Sequence, residues 1–140
     1  MLSIFNHHRR RKHRDSRSGV AAVEFAVCLP VLIILVFGAI EASSFIFLKQ
    51  ALNVAAYEGV REAVRLGSDN ASGNARAENI LNSRNIQDFV ISFPNGETSD
   101  LDRGEIVIVE VSAPTSTNSP LAGQFINNRV IASRVVMIKE

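Results

Sequence analysis

The sequence predicts an α+β fold, with a long N-terminal helix packed on a small antiparallel β-sheet. The first half of the helix spans a membrane and the second half is amphipathic. Three observations carry this. Residues 25–40 contain no charged side chain, and a helix rising about 1.5 Å per residue crosses an apolar layer about 30 Å thick in roughly 20 residues. The following KQALNVAAYEGVREAVRLG repeats small apolar residues at i, i+3, i+4, i+7 and i+8. Beyond it, three short runs rich in Val and Ile are separated by Gly, Pro, Asn and Ser, the pattern of strands and turns.

The 140 residues have room for one small domain besides the membrane segment. The order predicted is a basic leader over 1–19, a transmembrane helix over 20–48, an amphipathic extension over 49–67 and a small α+β domain over 68–140. Charge is near neutral overall but unevenly placed. Arg9, Arg10, Arg11, Lys12, Arg14 and Arg17 crowd the leader against Asp15 alone. From residue 49 onward nine Lys and Arg face eleven Asp and Glu. The basic character therefore belongs to the leader and does not indicate a nucleic-acid surface. With no Trp and Tyr57 the only tyrosine, a base-stacking platform is also disfavoured.

FAVCLPVLIILVFGAI is apolar on every face, which a domain this small could hardly bury, so the segment is read as a membrane span. Glu41 alone interrupts the apolar character before Leu48, and is read as an interfacial residue, with a subunit contact as the alternative. Lys and Arg are enriched on short cytoplasmic flanks. The leader is thus expected in the cytoplasm and the C-terminal domain on the far side of the membrane. A cleaved signal peptide has a shorter apolar core of about 7–15 residues, and Ala42-Ser43-Ser44 is only a weak site for one. Val27 before Cys28 disfavours a lipoprotein, so Cys28 is read as a small apolar residue. Pro30 removes one backbone donor and is expected to kink or loosen the helix, which membrane helices tolerate.

In the extension, Leu52, Ala55, Ala56, Gly59, Val60, Ala63 and Val64 form one narrow stripe, with Lys49, Asn53, Arg61 and Arg65 opposite. Glu58 with Arg61 and Glu62 with Arg65 are i,i+3 pairs. The stripe suits packing on the domain's own sheet, and small residues would equally allow close approach of a neighbouring helix. Gly67 is a natural helix stop. SDNASGN (68–74) reads as turn. ARAENILNSRN (75–85) reads as a helix with Ala77, Ile80 and Leu81 inward. Strands are expected at 88–94, 105–114 and 130–140, a loop at APTSTNSP, and a further helix at PLAGQFINN.

No catalytic constellation is present. All three His lie in the leader, and a single cysteine excludes an internal disulfide and cysteine-based metal sites. GSDNASGN lacks the lysine and strand context of a phosphate loop. Asp100, Asp102 and Glu105 share a turn, but without a glycine-centred calcium loop they read as solvated. No enzyme activity, cofactor or metal is expected.

The informative motif is GVAAVEF at the cytoplasmic edge. It resembles the type IV prepilins, in which a short basic leader ends in Gly, a peptidase cuts after it, and Glu is the fifth residue beyond. Flp-type prepilins of tight-adherence systems continue with an aromatic, usually Tyr, where this chain has Phe25. The longer string from Gly19 to about Arg65 is similar to the TadE/TadF-type minor pseudopilins. The resemblance implies a pilin-like fold, cleavage between Gly19 and Val20, and a role for Glu24 and Phe25 in processing or assembly. It implies as partners the membrane, a prepilin peptidase, and other pilins or inner-membrane assembly proteins, in the biogenesis of an adhesive pilus.

The chemistry of Glu24 is intelligible from the chain itself. In an array of such helices, Glu24 of one subunit can face the α-ammonium that cleavage creates on Val20 of another, neutralising two charges that are expensive in a low dielectric. Alternatively Glu24 snorkels to the headgroups. A protein of another class, an uncleaved single-pass membrane protein whose outer domain binds a partner or ligand, shares most of these features.

Overall fold

The computed structural model describes residues 16–120 and 129–140, with backbone only for 16–18. The leader before Ser16 and the expected helix at 121–128 lie outside the described residues. The chain divides into two compact units, Met1–Phe37 and Gly38–Glu140. Helix α1, Ser16–Ala63, belongs to both. In the first unit every described side chain of residues 19–37 is exposed, as expected of a helix whose apolar surface meets lipid rather than protein.

The second unit is the α+β domain. The remainder of α1 is followed by α2 (Asn70–Ser83), β1 (Val90–Ser92), a single 3-10 turn (Thr98–Asp100), β2 (Ile106–Pro114), a short α3 (Thr115–Asn118) and β3 (Val130–Ile138). The sheet is antiparallel in the order β1-β2-β3. Nine residue pairs join β2 to β3, from Ile106↔Ile138 to Pro114↔Val130, whereas β1 contributes three, beginning at Val90↔Ser112. Its pairing is shorter than the expected 88–94, and Asp88 has a left-handed φ of 54° just before it.

The core lies between α1 and the sheet. Leu48, Ala51, Leu52, Ala55, Ala56, Val60 and Val64 of the α1 side meet Val107, Val109, Val111 and Ala113 of β2 and Ala77 and Leu81 of α2. Alternation along β2 turns those four residues to one face. Each fully buried Leu contributes roughly 1.5–3 kcal/mol of transfer free energy. The small-residue stripe is therefore buried within the chain, as packing on its own domain requires. It is not left open for a neighbouring helix. Its closest approach is to α2: a Cβ built on Gly73 would stand 2.7 Å from the Gly59 carbonyl oxygen and 2.9 Å from the Ala63 Cβ.

The second helix starts earlier than the turn-rich SDNASGN suggests. Asp69 is its N-cap, and its carboxylate accepts from the Ser72 N–H at 2.8 Å and the Ser72 hydroxyl at 2.7 Å. These bonds satisfy helix donors that would otherwise have no partner, so Asn, Ser and Gly become the first turn of α2. The helix ends on Asn85, left-handed at φ 55°. Ile86 donates to the Leu81 carbonyl at 3.0 Å and Asn85 to that of Asn82 at 3.1 Å, a Schellman closure that buries Ile86 near Leu81. Helix α1 stops at Ala63, and the turn behind it contains Gly67 with φ 78°.

Three hydrogen bonds, the last just beyond the ends of both elements, align β3 with α1. The Lys49 ammonium donates to the Ala132 carbonyl, the Ser133 hydroxyl to the Asn53 side-chain oxygen at 3.0 Å, and the Glu140 N–H to the Val64 carbonyl at 3.3 Å. Fifteen helical residues rise about 22 Å and eight strand residues about 26 Å, so the two elements keep pace. Lys49 also occupies a carbonyl on the free edge of β3, a position that would otherwise invite another strand.

Two outcomes follow. Gly73→Ala is expected to destabilise the domain by roughly 1–3 kcal/mol, the cost of overpacking against a backbone oxygen that has no room to retreat; denaturant unfolding of the detergent-solubilised chain followed by circular dichroism measures it. The bonds from Ser72, hydroxyl first and N–H second, hold the Asp69 carboxyl below its usual 3.8. A carboxyl with a lowered folded pKa stabilises above its unfolded value and loses that contribution as pH falls through the folded one. Asp69→Asn is therefore expected to reduce the decline in stability between neutral pH and about pH 3, read from the same unfolding curves at stepped pH.

Candidate functional site: the helix start and two carboxylates

Helix α1 presents Gly19, Val20, Glu24, Phe25 and Pro30 on exposed positions of the first unit. It runs through Pro30 as one helix. Glu24 lies four residues after Val20, which places the two on one helix face about 6 Å apart along the axis. It is the one acidic residue between Gly19 and Ile40.

Among the described residues nothing requires glycine at position 19. A Cβ there would meet nothing within 4 Å, and its φ lies outside the left-handed region. Glycine inside a helix costs about 1 kcal/mol relative to alanine, so the residue weakens the helix without making room for anything among the described residues. The contrast with Gly73, which a Cβ could not replace, is direct.

The second carboxylate behaves differently. Glu41 is 8% exposed and accepts a hydrogen bond from the Ser119 hydroxyl. A partner 78 residues away leaves no local sequence pattern. The only hint is a carboxylate interrupting an apolar run. Near it, the Ser43 and Ser44 hydroxyls donate to the carbonyls of Ala39 at 2.8 Å and Ile40 at 3.0 Å. Ser119 follows α3, whose Asn118 side chain bonds both backbone groups of Gln87, at 2.8 and 2.9 Å, and the Pro114 carbonyl at 2.9 Å. The segment read as a plain loop is thus a pinned helical turn that delivers Ser119 to Glu41.

Other polar clusters are structural. Glu58, Arg61, Glu62, Arg65 and Arg76 line a shallow groove, and their charges pair among themselves: Arg61–Glu58 at 3.7 Å, Arg65–Glu62 at 3.0 Å and Arg76–Glu58 at 3.3 Å. The first two are the i,i+3 pairs expected from sequence. In the Asp100–Glu105 turn, the Glu105 carboxylate accepts the Asp102 N–H at 2.8 Å. Among the described residues no three His, Cys, Asp or Glu gather as metal ligands would. Cys28 is exposed on α1 with a free thiol.

Helix α1 is the one element among the described residues long and apolar enough to cross a membrane, from Gly19 onward, which fits a single-pass membrane protein. No curated protein and no solved structure matches the chain. A family model described as TadE-like protein matches residues 19–61. The match opens on Gly19, takes in Glu24, Phe25, Pro30 and Glu41, and ends two residues before α1 does. Along nearly the whole of its long helix, this chain is similar to the TadE-like family.

Proposed function

We propose that this protein is a minor pseudopilin of a tight-adherence (Flp type IVb) pilus system, cut by a prepilin peptidase after Gly19 and acting in pilus biogenesis. It sits in the inner membrane with the leader in the cytoplasm and the domain in the periplasm, before or instead of entering the filament. The carrying observation is the start of the TadE-like match at Gly19, a helical glycine that nothing among the described residues requires. A glycine that serves neither packing nor backbone geometry is understandable as a recognition element for another protein, here the peptidase. Removal of residues 1–19 leaves Val20 as a new α-ammonium at the head of an apolar helix. Glu24 of a neighbouring subunit then neutralises it and sets axial register, the best-attested use of a buried polar pair. Prepilin peptidase, other pilins and inner-membrane assembly proteins are the partners this reading names.

N-terminal sequencing of the mature protein tests it. The expected chain begins Val-Ala-Ala-Val-Glu-Phe, and Gly19→Ala is expected to abolish cleavage while leaving the circular dichroism spectrum unchanged. Glu24→Ala is expected to permit insertion but impair pilus formation, scored by shearing and immunogold labelling. An intact Met1 in cells with an active prepilin peptidase would instead identify an uncleaved single-pass membrane protein and overturn the proposal.

A further inference from the structure

We infer that the edge of β3 from Arg134 to Ile138 is a docking site for an extended segment of a partner protein. The segment adds to the sheet as a further strand and presents an acidic side chain to Arg134. The direction of the edge groups follows from the register. The Thr115 N–H donates to the Arg129 carbonyl and the Lys139 N–H to that of Glu105, both at 2.8 Å. Both pairs continue the β2–β3 register, in which Val109 faces Val135. Bonded and non-bonded pairs alternate in an antiparallel ladder, so the odd-numbered residues of β3 turn their backbone groups to β2 and the even-numbered ones turn theirs outward. Two even-numbered residues agree: the Ala132 carbonyl accepts from Lys49, and the Glu140 N–H donates to Val64. Between them, the outward backbone groups of Arg134, Val136 and Ile138 meet no partner among the described residues.

A row of open backbone donors and acceptors is matched by another extended main chain. Proteins close such edges with short strands, bulges, prolines or lysines. At the other side of the sheet, β1 has only three residues. In contrast, β3 has nine, contains no proline and pairs with β2 without a bulge. The lysine that blunts it, Lys49, acts at Ala132 and leaves the stretch beyond uncovered.

The side chains of that stretch define what the partner presents. Ile131, Val135 and Met137 pack on the core, so the even-numbered side chains lie on the outer face of the sheet. There Val136 is 52% exposed and Ile138 64%, with Ile106 exposed opposite Ile138. Arg134 is exposed and faces Glu110 in register, yet it forms no ion pair among the described residues. On an added antiparallel strand, the residues opposite Ile138, Val136 and Arg134 are therefore apolar, apolar and acidic at alternate positions. Backbone bonds supply the affinity and the alternation supplies the specificity. A second copy of β3 fits less well. In the register that brings its Glu140 to Arg134, the Glu140 N–H that the pairing needs is already given to Val64. Pairing centred on Arg134 sets like charges opposite each other.

The test uses the full chain in detergent and a short fluorescein-labelled peptide that alternates threonine with, in order, valine, valine and glutamate. Saturable binding is expected by fluorescence anisotropy. N-methylation of both valines, whose amides bond to β3 in this arrangement, is expected to abolish it. Val136→Pro removes one outward N–H, a change that edge strands accept. It is expected to weaken binding about fivefold with the circular dichroism spectrum unchanged. Arg134→Glu leaves the main chain alone, and is expected to weaken binding of the glutamate peptide about threefold and to favour a peptide with lysine in its place. No binding, or equal binding of the N-methylated peptide, overturns the docking site. A chain that is dimeric in the analytical ultracentrifuge and dissociates with Val136→Pro gives the edge to a second copy and overturns the proposal as well.

Discussion

The structure depends on one face of α1 being made of side chains almost too small to bury. Ala51, Ala55, Ala56, Gly59 and Ala63 supply little apolar area of their own, but they let other elements come close enough to supply it. Gly59 and Gly73 touch at backbone distance, and that contact sets α2 against α1. The sheet then closes over the remainder of the stripe with Val107, Val109 and Val111. A bulky residue in the stripe would hold both elements away at once, because close-packed interiors do not yield by an ångström without cost.

Because that face is occupied, whatever α1 offers to other molecules comes from the rest of its surface. Ile46, Phe47, Val54 and Tyr57 stay exposed along the domain half, as do all the described side chains of residues 19–37. The two carboxylates divide along the same line. Glu41 is satisfied inside its own chain, so in the proposed assembly the pairing between subunits falls to Glu24. Its exposure and its four-residue spacing from Val20 suit that use.

The domain is completed by side chains that bond backbone. Asn70 accepts from the Thr98 N–H and hydroxyl and donates to the Gly96 carbonyl at 2.9 Å. Lys139 donates to the carbonyls of Thr98, Ser99 and Leu101, and Asn118 ties α3 to Gln87. A net gain of about 1 kcal/mol per bond is typical. Their larger effect is to fix the connecting loops, including the one that brings Ser119 to Glu41.

Much was readable from residues alone where the signal is periodic or local. The apolar run, the stripe from Leu52 to Val64, the inward Ala77 and Leu81, the turn glycine Gly67, the alternation within the strands and the Gly19–Glu24 spacing all repeat or sit at short intervals, and short intervals survive any tertiary arrangement. Tertiary structure decided the rest. Asn70–Asn74 look like turn residues until Asp69 caps them and Gly59 gives Gly73 somewhere to pack. Residues 115–118 look like loop until Asn118 finds Gln87. Glu41 looks like a lone carboxylate in an apolar run until Ser119 arrives from 78 residues away. Each was invisible in sequence for the same reason: a polar or small residue has its conformation chosen by its partner, and these partners are remote in the chain.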